Sequence, residues 1–251
     1  MTKIKRLAVI AAMCIAALFA GKARADDISR GIRGPTNWQA DSRISYSEND
    51  LDIKTTTENL ILKYWDGDEV GVFGFLNLPY KTIATPAGTS SGLGDISLGL
   101  GPRGRLGNFQ FLSYAGFALP TGNDREKIPF GNGRLDAKIG FAGTYLAGDK
   151  KYELDGIVER NFTGENNSGI NPPDETYLGV LAGMAITEKI RFAGGPTGLM
   201  RDNGDFNLNL RTVLRYTPSS QFHLELVLDN GIKEQNVPKS NGFGIYFRRN
   251  F

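Results

Sequence analysis

A repeat of period two limits the fold of this chain more than any other feature. From Trp38 onward apolar and polar residues alternate in segments of about ten, separated by turn residues, as the strands of a membrane barrel do. In 206–216, Phe206, Leu208, Leu210, Thr212, Leu214 and Tyr216 share one face, and Asn207, Asn209, Arg211 and Arg215 share the other. The next segment repeats the scheme, with Phe222, Leu224, Leu226 and Leu228 opposite Gln221, His223, Glu225 and Asp229. Leu135, Ala137, Ile139, Phe141 and Tyr145 oppose Arg134, Asp136 and Lys138 in the same way. Tyr152, Leu154, Val158 and Phe162 likewise oppose Glu153, Asp155, Glu159 and Asn161. The segments at 51–65 and 69–80 alternate less cleanly, and their registers stay open. Val72, Phe73, Phe75, Leu76 and Leu78 put apolar residues on both faces, so part of the interior is expected to be apolar.

This rhythm predicts twelve strands, near 38–47, 51–65, 69–80, 94–106, 108–120, 133–147, 151–163, 175–187, 189–199, 205–217, 220–231 and 241–251. Tight turns such as Asp66-Gly67-Asp68, Gly107-Asn108 and Gly148-Asp149-Lys150 alternate with longer polar loops around 81–93, 121–132, 164–174, 200–204 and 232–240. Only Ser47–Asp50 is short where a long loop is expected. An even strand count with loops sorted in this way predicts a closed, antiparallel, up-and-down transmembrane β-barrel with short periplasmic turns. Aromatic residues agree with it. Tyr64, Trp65, Phe109, Tyr145, Tyr152, Tyr216 and Phe222 stand next to the short turns and are expected to form an interfacial girdle.

Both ends of the chain suit an exported barrel. Lys3, Lys5 and Arg6 precede an apolar run from Leu7 to Ala20, and Ala23-Arg24-Ala25 has the small-x-small pattern of a cleavage site. Residues 1–25 are therefore expected to be a signal peptide, 26–37 a periplasmic segment and 38–251 the barrel. Cys14, the only cysteine, lies in the leader, so disulfides and thiol chemistry are not expected afterwards. Loss of Lys3, Lys5, Arg6, Lys22 and Arg24 takes the basic residues from 29 to 24 against 27 acidic ones, moving the net charge from +2 to −3. Nucleic-acid binding has no support. At the other end, Phe243, Ile245, Phe247 and Phe251 share one face of a final strand that resembles the C-terminal signal read by the barrel-assembly machinery. Arg249 interrupts that face.

Other motifs carry little chemistry. Gly99-Leu100-Gly101-Pro102-Arg103-Gly104 has the spacing of a dinucleotide loop, but Pro102 and a continuing strand replace the helix that would bind pyrophosphate. Asn161-Phe162-Thr163 and Asn166-Asn167-Ser168 are glycosylation sequons without meaning in a bacterial outer membrane. His223, the sole histidine, shares the inner face with Glu225, whereas a lipid hydrolase of the membrane needs its triad outside. No catalytic residue, metal ligand or cofactor is predicted. The inner-face charges are the candidate site: Arg134, Asp136, Lys138, Glu153, Asp155, Glu159, Arg211, Arg215, His223, Glu225 and Asp229. They fit a charge-lined pore for a small polar or ionised solute. They fit equally a set of cross-strand ion pairs that fills a narrow barrel.

Gly92-Leu93-Gly94-Asp95-Ile96-Ser97-Leu98-Gly99-Leu100, followed by Leu119-Pro120-Thr121-Gly122, resembles two marks of the outer-membrane barrels of the "meta-pathway of phenol degradation" family. There a G-x-G-D stretch opens a strand and an L-P-T-G stretch ends the next one on the extracellular side. The resemblance implies a barrel that passes small, often aromatic, compounds, and it transfers no binding residue. Gly94, Asp95, Pro120 and Gly122 are read as strand and loop punctuation. The expected role is passive passage of small solutes, with outer-membrane lipid and lipopolysaccharide around the barrel. Loops 81–93 and 121–132 are the candidates for constricting its mouth. The alternative is a non-conducting barrel sealed by its own ion pairs.

Overall fold

A computed structural model of the chain describes residues 36–66, 69–123, 131–165, 171–219 and 221–251. The expected signal peptide, most of the segment after it and the second sequon lie outside the described residues. The described residues form thirteen antiparallel strands: β1 Thr36–Asn49, β2 Lys54–Asp66, β3 Val70–Thr85, β4 Gly88–Leu93, β5 Ile96–Leu106, β6 Phe109–Leu119, β7 Asp136–Ala147, β8 Tyr152–Phe162, β9 Glu175–Ala185, β10 Ile190–Arg201, β11 Phe206–Ser219, β12 Phe222–Gln235 and β13 Ser240–Asn250. Each strand pairs with its neighbours in sequence except that β5 pairs with β3 rather than with β4; β1 pairs with β13 and β4 lies outside the ring, so twelve strands close on themselves. Closure leaves no free edge within the ring, as a barrel in lipid requires.

The amphipathic pattern is turned inside out. Leu100, Ile139, Leu154, Val180, Leu228 and Phe243 face outward, each about half exposed (49–64%). Asp41, Lys63, Glu153, Arg191 and His223 face inward and are at most 5% exposed. In water that arrangement would leave a large apolar belt uncovered. In a bilayer the belt meets lipid, and the barrel needs no other partner to bury it.

Two places, 81–93 and Trp65, depart from the sequence expectation. The stretch 81–93 is not an open loop: β3 runs on to Thr85, turns at Pro86-Ala87 and returns as β4, which pairs with Tyr80–Thr85 beyond the ring. After a break at Gly94-Asp95 the chain continues as β5 against the lower half of β3. Thr, Ser, Ala and Gly predominate in 81–93, so no alternating apolar face marks it as paired strand.

Pro102 and Pro196 each sit inside a membrane strand. Pro102 stays in register with β3, yet β5–β6 pairing lapses between Leu100 and Arg103. Pro196 stays in register with β11 while β9–β10 pairing lapses between Gly194 and Thr197. A proline donates nothing to a ladder, so each has its gap on one side only.

Trp65 is not part of the outer girdle. Its parity turns it inward and it is fully buried, with the Arg103 guanidinium 5.9 Å from its ring. Tyr64 does face out, its ring 5.0 Å from that of Trp38, and Tyr145, Tyr152 and Tyr216 are each nearly half exposed at the same end. Arg249 stands on the terminal apolar face, as its parity predicts. Its guanidinium lies 5.2 Å from the Phe222 ring and 5.3 Å from that of Phe251, where a stem along the belt and a charge near headgroups coexist. The Phe251 amide donates to the Trp38 carbonyl at 2.9 Å, so the last residue sits beside the first strand.

Candidate functional site: the barrel lumen

Inward side chains at the turn-side, periplasmic end form two buried ion clusters. Asp41 on β1 accepts from Lys63 Nζ at 2.7 Å, Arg248 Nε at 2.9 Å and Arg43 Nη2 at 2.8 Å. Its neighbours continue the layer: Gln39 Nε2 donates to Asn250 Oδ1 at 2.5 Å, and Asn250 Nδ2 lies 3.3 Å from His223 Nε2. Across the barrel, Glu153 on β8 binds Arg191 at 2.8 Å and Arg215 at 3.3 Å, and Arg215 also donates to Glu225 at 2.9 Å. The Glu153 side chain has no exposed surface and that of Arg191 has 5%. Charges this dry are retained only because each has an opposite partner with hydrogen-bond geometry.

One side of the lumen is apolar, as the irregular alternation of 69–80 suggested. Phe73 and Phe75 point inward from β3, with ring centroids 6.0 Å apart. The Phe75 ring meets that of Tyr114 edge-on at 5.3 Å. Gly99 on β5 makes room for it, since a Cβ there would stand 2.6 Å from Phe75 Cε1. The Tyr114 hydroxyl in turn donates to Glu159, which lies 3.7 Å from Lys138 Nζ.

Above the periplasmic clusters the lumen opens into a cavity of about 230 Å³, bordered by Gln110, Ile157, Tyr177, Leu181 and Arg211 among others. Arg211 is fixed by two 2.8 Å bonds to Asp229 and donates to the Tyr177 hydroxyl at 3.0 Å.

At the extracellular rim the two glycine-rich motifs meet. Asp95 accepts from the Gly122 amide at 2.9 Å and the Asn132 amide at 2.6 Å. Thr121 Oγ1 accepts from the Ile96 amide at 2.8 Å and donates to the Gly94 carbonyl at 3.2 Å. The motifs are therefore two halves of one clasp that gathers both ends of the 120–135 connection onto the head of β5.

A second rim clamp centres on Arg160, which donates to Asp202 at 2.5 and 2.8 Å and to Asp174 at 3.2 Å. Hydrogen bonding from Arg160 holds the Asp202 carboxyl below its ordinary value of 3.8. A lowered folded-state value means that the clamp contributes fully above about pH 4 and is lost as pH falls through that lowered value. A side-chain titration of Asp202 is expected to give a midpoint below 3.8, with exchange protection of its amide, which donates to the Asp174 carbonyl at 3.1 Å, falling in step. A midpoint at or above 3.8 would show that the clamp does not hold.

All eleven candidate residues sit on the inward side of their segments, and some, but not all, of their partners are those that neighbouring strands suggest. Arg211 with Asp229, and Arg215 with Glu225, pair across adjacent strands. Of Arg134 and Lys138, only Lys138 reaches across to β8; Arg134 turns back to Asp136 at 2.7 Å. Asp155 accepts from Thr144 Oγ1 at 2.5 Å. His223 is buried, with Nδ1 3.1 Å from Thr217 Oγ1. Sequence reasoning missed Asp41, Lys63, Arg191 and Arg248, although their parity could have found them. Each is a charged residue on the face opposite Trp38, Tyr64, Phe192 and Phe247 respectively.

Comparison with known proteins agrees with this architecture. The sequence matches the family described as MetA-pathway of phenol degradation over residues 31–247. The fold is similar to that of an outer membrane channel from Pseudomonas putida, with a TM-score of 0.73 at 16% identity, covering 92% of this chain and 100% of that one. The beta domain of the Bordetella autotransporter BrkA gives 0.57 at 12% identity, covering 87% and 100%, and the NanC porin 0.53 at 12%, covering 84% and 98%. At these identities the likeness is one of fold. No curated protein matches the chain by sequence. A match across nearly the whole barrel places the chain in the MetA-pathway of phenol degradation family.

Proposed function

We propose that the protein is a passive outer-membrane channel for small solutes. The observation that carries this is the inverted barrel itself, apolar outside and polar inside, with a cavity within the lumen. Family membership and the likeness to a Pseudomonas putida channel support the same reading. Lipid and lipopolysaccharide are its surroundings, and the terminal face of Phe243, Ile245, Phe247 and Phe251 is its signal to the assembly machinery. An enzymatic role is not proposed, because His223 is enclosed by Thr217 and Asn250 inside the lumen, away from bilayer lipid.

Conduction should be sensitive to the wall charges. Arg211→Gln leaves Asp229 without its partner, so the permeability ratio in planar bilayers is expected to move several-fold toward cations. An unchanged ratio would mean that solutes do not pass this pair. The two buried ion clusters favour a second reading, a barrel closed at its periplasmic end. A correctly folded protein that stays silent in bilayers and passes no solute in liposome swelling would establish that reading against the channel.

A further inference from the structure

We infer that the outward groove over Pro196 is a docking site for lipid A, with an acyl chain in the groove and a phosphate on Lys233. The inference rests on the barrel standing in the outer membrane and is independent of whether its lumen conducts.

The wall itself makes the groove. Pro196 leaves the β9–β10 ladder unpaired between Gly194 and Thr197, and two positions on Gly198 presents no side chain to the lipid side. Leu178 and Val180 on one flank, and Met200, Phe206 and Leu208 on the other, enclose a furrow of about 320 Å³. Val180 and Met200 are both well exposed, so the furrow opens outward into the apolar belt. Walls of this kind suit hydrocarbon and exclude groups that must keep their hydration.

A charge at its end sets this groove apart from the rest of the belt. Lys233 stands opposite Leu208 in the β11–β12 register, and its Nζ lies 5.8 Å from the centre of the Phe206 ring. Both partners wall the groove on its extracellular side, so the ammonium sits where an acyl chain gives way to a headgroup. The ring holds this cation without neutralising it. Other outward cations at the same end are already matched: Lys54 lies 3.3 Å from Glu48, and Arg160 is held by Asp174 and Asp202. Lys233 is exposed and has no carboxylate partner among the described residues.

The barrel carries its own contrast. A second outward groove, of about 500 Å³ beside Pro102, ends on Arg160. Two carboxylates around that one guanidinium leave a net negative charge, which repels a phosphate. Only the Pro196 groove therefore joins an apolar furrow to an unmatched cation. At the outer leaflet, the lipid that offers acyl chains and phosphate together is lipid A.

The full chain, folded in detergent, can be titrated with bisphosphorylated lipid A, dioleoylphosphatidylglycerol and dioleoylphosphatidylcholine, with bound lipids counted by native mass spectrometry. Saturable binding of lipid A is expected, tighter than that of phosphatidylglycerol, with phosphatidylcholine weakest. Lys233→Gln should weaken lipid A about fivefold, the worth of one lysine beside an anionic surface. Pro196→Phe should also weaken it, by filling the groove, and because it restores a ladder donor this variant is expected to fold. Ala115→Leu, which fills the Pro102 groove, and Lys151→Gln, at a periplasmic turn, should change nothing. Lipid A binding that never saturates would overturn the inference, as would affinity indifferent to Lys233→Gln or to Pro196→Phe. Equal or tighter binding of either phospholipid would do the same. Conduction in planar bilayers is read separately, so loss of the lipid site spares the channel, and a silent barrel that keeps the site spares the inference.

Discussion

Asp41→Ala is expected to lower the unfolding free energy of the barrel by roughly 3–5 kcal/mol, the cost of breaking a buried ion network by removing one partner. Asp41 is an acid shared by three bases: Lys63, Arg248 and Arg43 all lie within 2.9 Å of its oxygens. The Asp41 and Lys63 side chains are 2% and 5% exposed, so water cannot take the acid's place. Removing it leaves clustered positive charge in a dry layer, where the three bases have lost a shared partner and repel one another. Urea unfolding in lipid vesicles, followed through the fluorescence of buried Trp65, measures the loss. Asp50→Ala, at an exposed turn, is the control and should change stability by less than about 0.5 kcal/mol. Adding Lys63→Met to Asp41→Ala should recover part of the loss, since one stranded cation is gone. A loss under about 1 kcal/mol would show that the periplasmic layer is wet, and would favour an open route through it.

The second large effect concerns the rim clasp. Asp95→Ala removes the acceptor for two amides at once, those of Gly122 and Asn132. Hydrogen bonds to a charged acceptor contribute about 1.5–3 kcal/mol each, so losing both should let the 120–135 connection open at least about a hundredfold more often. Arg134 lies at the end of this connection with its side chain 14% exposed, and trypsin cleavage after it reads the opening directly when reclosure is fast. Gly131→Val should act in the same direction by another route. Gly122 and Gly131 cross so closely that a Cβ on Gly122 would stand 2.6 Å from Gly131 Cα. Unchanged cleavage in both variants would mean that the connection is held elsewhere. These contacts also give the family motifs a physical reason. The first supplies an acid and a carbonyl, and the second a hydroxyl, an amide and a residue small enough to be crossed.

Much of the lumen was legible because parity is a local property. Once Phe206, Leu208 and Leu210 are placed outside, Arg211 and Arg215 must point inside, whatever the rest of the chain does. The same rule locates the girdle tyrosines, and it fails for Trp65 only because an aromatic beside a turn was counted without regard to its parity. Partner choice was legible only between adjacent strands. Arg211 and Asp229 are 18 residues apart across one turn, and register alone brings them together.

The same reasoning could not give Glu153 its partners. Arg191 and Arg215 stand 38 and 62 residues away, two and three strands along the sheet, and reach Glu153 only because the sheet curves. Nor could it unite Asp41 with Arg248, 207 residues apart, until β1 met β13. By itself the sequence determined the strand repeat, the sorting of faces and the class of barrel, because each depends on period two and on turn chemistry along the chain. The tertiary structure alone decided which charges neutralise one another, where the lumen is packed and where it opens, and that the two motifs form one clasp. Those depend on closure, which brings residues together through space without leaving any period in the sequence.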